Sequence, residues 1–138
     1  MKETVVTQHL VKNIDLNHHK TLFAGRSAEW LLETAFITAS SILPADSIVA
    51  SRIHEVCYLA PVYAGNVLKY EGHIVHAGKT SLMIYVLGET GGKLTIEGFI
   101  TFVHIGEDSH AVPHGITVEA ETEEEKVLQE RAKKLLSC

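Results

Sequence analysis

The chain has 138 residues, 46% of them hydrophobic and 21% charged, which fits one globular domain and excludes a disordered polymer. Twelve Lys and Arg against 17 Asp and Glu leave a net charge of −5, which argues against broad nucleic-acid binding, so an anionic ligand would need a local basic patch. No apolar run approaches the ~20 residues of a membrane helix, MKETVVTQHL lacks the apolar centre of a signal peptide, and a cytoplasmic, membrane-free protein is expected.

In chain order, VVTQHLV (5–11) has the β-branched content of a first strand, and NIDLNHHKT (13–21) reads as a polar loop. From Gly25 to about Ser41, Ala28, Leu31, Leu32, Ala35 and Ala39 recur at three- and four-residue spacings, which predicts one long helix stopped by Pro44. Four strands follow at 48–60, 67–76, 79–89 and 93–105, separated by AGN, AG and TGG, links suited to hairpins. In the last, Phe99 and Val103 break the polar side of the alternation, so both sheet faces should be partly covered. A closing helix at 123–136 has a capping box (Thr122, Glu125) and Lys133 and Lys134 in its last turn, with Val127, Leu128, Leu135 and Leu136 available to pack. The expectation is a single two-layer α+β domain over 1–138, with a core at about 4–106 and a peripheral tail helix.

Cys57 and Cys138 make neither a disulfide framework nor a zinc site, and the nine histidines are too scattered for a metal. His73 and His76, three apart on a strand, should point to opposite faces, so no metal is expected.

Three stretches carry a resemblance: Asn17 with Phe23-Ala24-Gly25 before GRSAEWLLETAF, YLAPVYAGNVLKYEG at 58–72, and HIVHAGKTSLMIYV at 73–86. Their order and spacing resemble the hotdog-fold acyl-CoA thioesterases, in which a long central helix is wrapped by a five-stranded antiparallel sheet. The resemblance runs from about Asn17 to Ile105. It implies thioester hydrolysis with acyl-CoA as substrate and no further cofactor. Within it, the Gly25 amide at the helix N-terminus suits an oxyanion donor and Glu33, eight residues on, the catalytic carboxylate. If Phe23-Ala24-Gly25 is matched directly to the family's Phe-Gly-Gly, the carboxylate position falls on Leu32 instead, which implies a non-catalytic acyl-CoA binder. Asn17 and His19 would orient water or the thioester oxygen. Gly78, Lys79, Thr80 and Ser81 form the candidate coenzyme A hairpin, with Arg52 and Arg26 as further cations and Tyr63, Tyr70 and Trp30 as candidate channel residues. The His19–Glu33 spacing also resembles that of hotdog acyl dehydratases, though their proline-rich intervening segment is absent. Eight helical residues separate Gly25 from Glu33 by about 12 Å, too far to meet on one carbonyl. The resemblance therefore implies a homodimer with shared sites, assembled further into a tetramer or hexamer.

Overall fold

The computed structural model describes residues 4–136; Met1–Glu3 and Ser137–Cys138 lie outside the described residues. The elements are β1 (Thr4–Leu10), α1 (Ala24–Ser40), β2 (Ile48–Tyr58), β3 (Val67–Ala77), β4 (Ser81–Thr90), β5 (Lys93–His104) and α2 (Glu123–Leu136), with short 3-10 turns at Asn13–Asp15 and Ala45–Ser47. All five strands join one antiparallel sheet in the order β1-β3-β4-β5-β2.

α1 lies across one sheet face, burying Ser27, Leu31, Thr34, Ala35, Thr38 and Ala39. Against it pack Leu68, Tyr70, Ile74, Ile84, Val86, Ile96, Ile100 and Phe102. Close approach is permitted by Gly72 on β3 and Gly98 on β5: a Cβ at Gly72 would overlap the Thr38 hydroxyl, and one at Gly98 would crowd the Leu31 side chain at 3.3 Å as well as the β2 carbonyl of Glu55 at 2.9 Å. Thr34 and Thr38 are tolerated on this face because each hydroxyl donates back to a carbonyl one turn earlier, Trp30 at 2.9 Å and Thr34 at 2.7 Å.

The opposite face is covered by α2, which packs Leu128, Ala132 and Leu135 on Val75, Met83, Tyr85 and Phe99. This is why β5 carries apolar residues on both sides. The Arg131 guanidinium grips Glu97 through two bonds of 3.3 and 3.1 Å and lies over the Phe99 ring. Burial pushes the Glu97 carboxyl up, but the bonds from Arg131 and Tyr85 outweigh it and leave its pKa below the usual glutamate value. The predicted capping box is formed: Glu125 N–H meets Thr122 Oγ1 at 3.1 Å, and Glu125 Oε1 accepts from Thr122 N–H at 3.0 Å. Val127 and Leu136, expected to pack, are exposed, because the buried stripe runs through 128, 132 and 135.

Two further expectations are corrected. The AGN link (64–66) is not a hairpin, since β2 pairs with β5 while β3 pairs with β1 and β4. After Tyr58 the chain peels off along Thr95 and crosses to β1, held by Leu22 N–H to the Val62 carbonyl (2.7 Å) and Gly65 N–H to the Val11 carbonyl (2.8 Å). The turn needs Gly65 at φ +90°. His73 and His76 share a face, because a register shift between Ile74 and His76 sets them opposite Tyr85 and Met83, both beneath α2. The Gly91-Gly92 link is a true two-residue hairpin, with both φ angles positive.

Candidate active site

A pocket of 390 Å³ opens where the N-terminus of α1 meets the ends of β2 and β5. Its wall combines the loop before α1 (Asn17, Thr21, Leu22), the first turns of the helix (Ala24, Ser27), the segment Tyr58–Val62 and Thr95. Among the described residues, no carboxylate and no cation lines it.

The loop is built around Asn17. Its Oδ1 accepts from the amides of His19 (2.8 Å) and Thr21 (3.2 Å), and its Nδ2 donates to Thr21 Oγ1 at 3.0 Å. Lys20 takes a left-handed conformation (φ +67°) to close the turn. Buried Asp15 ties this loop to the helix, accepting from Lys12 N–H at 2.9 Å and pairing with Arg26 at 3.3 Å. Arg26 also bonds Glu29, so it is committed locally rather than available to a phosphate.

The helix that begins here has Phe23 at its N-cap, which makes no side-chain cap, and no acidic residue in its first turn. Its first amides therefore retain their donor capacity and the positive end of the helix dipole is unneutralised, a ready anion site beside the pocket. The helix begins at Ala24, one residue ahead of the expected Gly25, and Gly25 sits within that first turn. Tyr58, about half exposed, lines the other wall and donates its hydroxyl proton to the Ala24 carbonyl at 2.7 Å, and its partial burial pushes its pKa up.

The other expected residues are spread out. His19 is exposed and does not line the pocket. Glu33 is exposed on the flank of α1 nearer β1, where its charge acts on His9. Leu32 is half-buried against the core on the other flank, one turn before Phe36, whose ring meets Phe102 of β5 at 5.9 Å. The β5–β2 side of α1 thus carries Leu32, and Glu33 does not reach its own chain's pocket. Gly78, Lys79, Thr80 and Ser81 form the β3–β4 turn, with Gly78 N–H bonded to the Ser81 carbonyl at 2.9 Å. Ser81 pairs with Val103, eight residues along β5 from Thr95, or roughly 26 Å from the pocket in the same chain. Arg52 is opposite Thr101 and shares the sheet face turned away from α1. Tyr70 is fully buried in the core, Trp30 stacks on His9 at 4.3 Å, and Tyr63 is exposed; none of the three lines the pocket.

Four pocket hydroxyls (Thr21, Ser27, Tyr58 and Thr95) were not singled out from the sequence. Only Ser27 left a signal there, a polar residue on what proves to be the buried side of α1.

Residues 19–97, more than half of the chain, match the Thioesterase superfamily. The chain belongs to that superfamily. An uncharacterised acyl-CoA thioester hydrolase of Bacillus subtilis strain 168, YkhA, is 29% identical over 136 residues, covering 93% of this chain and 77% of its own. A solved apo-hexameric acyl-CoA thioesterase superposes with a TM-score of 0.88 at 31% identity, covering 97% of this chain and 88% of that one. An acyl-CoA hydrolase from Bacillus cereus gives a TM-score of 0.85 at 29% identity, over 97% and 84% of the two chains. With these neighbours the helix wrapped by five antiparallel strands is the hotdog fold anticipated from the motifs.

Proposed function

We propose that the protein is an acyl-CoA thioester hydrolase, releasing coenzyme A and a carboxylic acid, and that the pocket at the start of α1 holds the thioester. The observation that carries this reading is the uncapped, unneutralised N-terminus of α1 opening onto a 390 Å³ pocket in a thioesterase-superfamily chain. As the thioester carbonyl becomes tetrahedral its oxygen gains negative charge. The Gly25 amide and its first-turn neighbours, with the second Asn17 Nδ2 hydrogen, are the donors for that charge.

Water attack then needs a base, and no carboxylate lines the pocket among the described residues of its own chain. In this proposal Glu33 comes from a second copy that meets this pocket with the β1 flank of its own α1, a contact separate from the β2 edge because Glu33 lies on the side of α1 away from β2. The unpaired edge of β2 carries exposed Val49, Ile53 and Tyr58, an apolar seam suited to self-association. Antiparallel pairing of two β2 edges would carry the far end of the second sheet, with its Gly78–Ser81 turn, toward this pocket. That arrangement supports Lys79 as a cation for coenzyme A phosphate despite its distance within one chain. Relatives described as hexameric acyl-CoA thioesterases support a dimer-based oligomer.

A second reading, an acyl-CoA binder without hydrolysis, is favoured by one observation: the α1 flank turned toward β5 and β2 presents Leu32 rather than an acid. Thiol release from a panel of acyl-CoAs separates the two. Hydrolysis through Glu33 predicts wild-type turnover, a fall of about 10²-fold or more in Glu33→Gln, and little change in the matched control Glu29→Gln. Binding without turnover, an unaltered Glu33→Gln, and new thiol release in Leu32→Asp would establish the second reading.

A further inference from the structure

The pocket hydroxyls have an unusual common property: each already spends its proton inside the chain. Tyr58 donates to the Ala24 carbonyl at 2.7 Å. Thr95 donates to the Gly88 carbonyl at 3.0 Å. Thr21 donates to Asn17 Oδ1 at 3.3 Å. For Ser27 the direction follows from placing the Tyr70 proton on the shorter of its two contacts. Tyr70 has one hydroxyl proton and gives it to the Ser27 carbonyl at 2.9 Å, so in the 3.1 Å contact between the two hydroxyls Ser27 is the donor. Burial pushes the Tyr70 pKa upward, so that proton is retained. A hydroxyl carries one donor and two acceptor sites. All four therefore offer the pocket lone pairs only.

A wall of acceptors has a definite chemical preference. A group resting on it must bring an O–H or N–H of its own, since a purely apolar group would leave these oxygens dehydrated and unpaired. An ammonium is disfavoured, because among the described residues no carboxylate lines the pocket to balance it. The remaining donor is neutral. The donors at this site, the first-turn amides and Asn17 Nδ2, sit at the helix end, where the thioester carbonyl is placed.

We propose that the pocket selects acyl groups bearing a neutral hydroxyl within a few carbons of the thioester, that is, hydroxyacyl-CoA esters, with Ser27 and Thr95 accepting from that hydroxyl. This rests on the acyl-CoA reading above and names its substrate class. The other neutral donors on such a ligand are the amide N–H groups of the pantetheine arm, which every acyl-CoA shares, and a matched pair of esters distinguishes the two sources.

The test compares butyryl-CoA with 3-hydroxybutyryl-CoA, by thiol release for kcat/KM and by calorimetry for Kd, in wild type, Ser27→Ala and Thr95→Val. The expected result is a preference for the hydroxy ester of about tenfold or more in wild type, collapsing toward one in both variants. Thr95→Val keeps the side-chain shape and so guards against a Ser27→Ala protein that loses its Tyr70 contact and folds poorly. Equal handling of the two esters by an active wild type would overturn the inference while leaving the acyl-CoA reading intact. Variants that weaken both esters equally would assign the acceptors to the pantetheine amides and overturn it as well. A wild type that neither binds nor cleaves either ester would remove the acyl-CoA reading itself, and the inference with it.

Discussion

Asn17 has two jobs that one atom change separates. Its Oδ1 closes the loop ahead of α1, and in the proposed site the Nδ2 hydrogen not bonded to Thr21 is a donor to the thioester oxygen. Asn17→Ala leaves the His19 and Thr21 amides without their acceptor, and a loss of about 1–2 kcal/mol in stability is expected by denaturant unfolding. Asn17→Asp keeps the acceptor and removes the donor. It should stay closer to wild type in stability while losing turnover, and equal turnover in Asn17→Asp and wild type would take the amide out of the site. Asn17 was legible in the sequence because its spacing to Phe23-Ala24-Gly25 is a motif. Thr95 and Tyr58 were not, because they reach the pocket only through strand pairing between distant segments. The apolar periodicity of α1 misled by a fraction of a turn. Counting only hydrophobic residues centred the stripe toward Leu32 and Ala28, whereas Ser27, Thr34 and Thr38 are buried too, with their hydroxyls bonded internally.

At the scale of elements, all seven predicted helices and strands are present, with ends displaced by a residue or two. Strong alternation and glycine punctuation made them readable. Pairing was less so: Ala64-Gly65-Asn66 resembles a hairpin turn locally, and only its bonds to Val11 and beyond show that it is a crossover. The His73/His76 expectation failed for a similar reason, since a bulge changes the face of every later residue and leaves no mark in composition. Helix-to-sheet contact rests on Gly72. Gly72→Ala places a methyl on the Thr38 hydroxyl and should cost about 1–3 kcal/mol, measurable by chemical denaturation; a neutral result would mean that α1 can shift freely. α2 belongs to the outer face, remote from the pocket. Truncation after Ile116 exposes Val75, Met83, Tyr85 and Phe99, so lower thermal stability or altered oligomer size is expected with some hydrolysis retained. Complete loss of turnover in a truncated protein that still assembles normally would place α2 in the site.

For the whole molecule, three histidines set the response to acid. Burial lowers the pKa of His9, His54 and His76, helped by the charges of Arg52 beside His54 and Lys133 near His76, while Glu33 and Asp15 partly oppose it at His9. Near pH 6.5 the folded protein therefore binds fewer protons than the unfolded chain. Their contribution to stability is complete above that pH and is lost as the pH falls through it toward the lowered folded-state values. Scanning calorimetry from pH 7.5 to about 5.5 should show a falling Tm, and a rise on acidification would contradict it. The assembled molecule also bears the central claim, a hydrolytic site shared between copies. Its most direct test is thiol release from a short-chain acyl-CoA across a dilution series, with sedimentation on the same samples. Specific activity that falls in step with the dissociating oligomer is the predicted result; an isolated monomer with full activity, or no thiol release at any concentration, would contradict it.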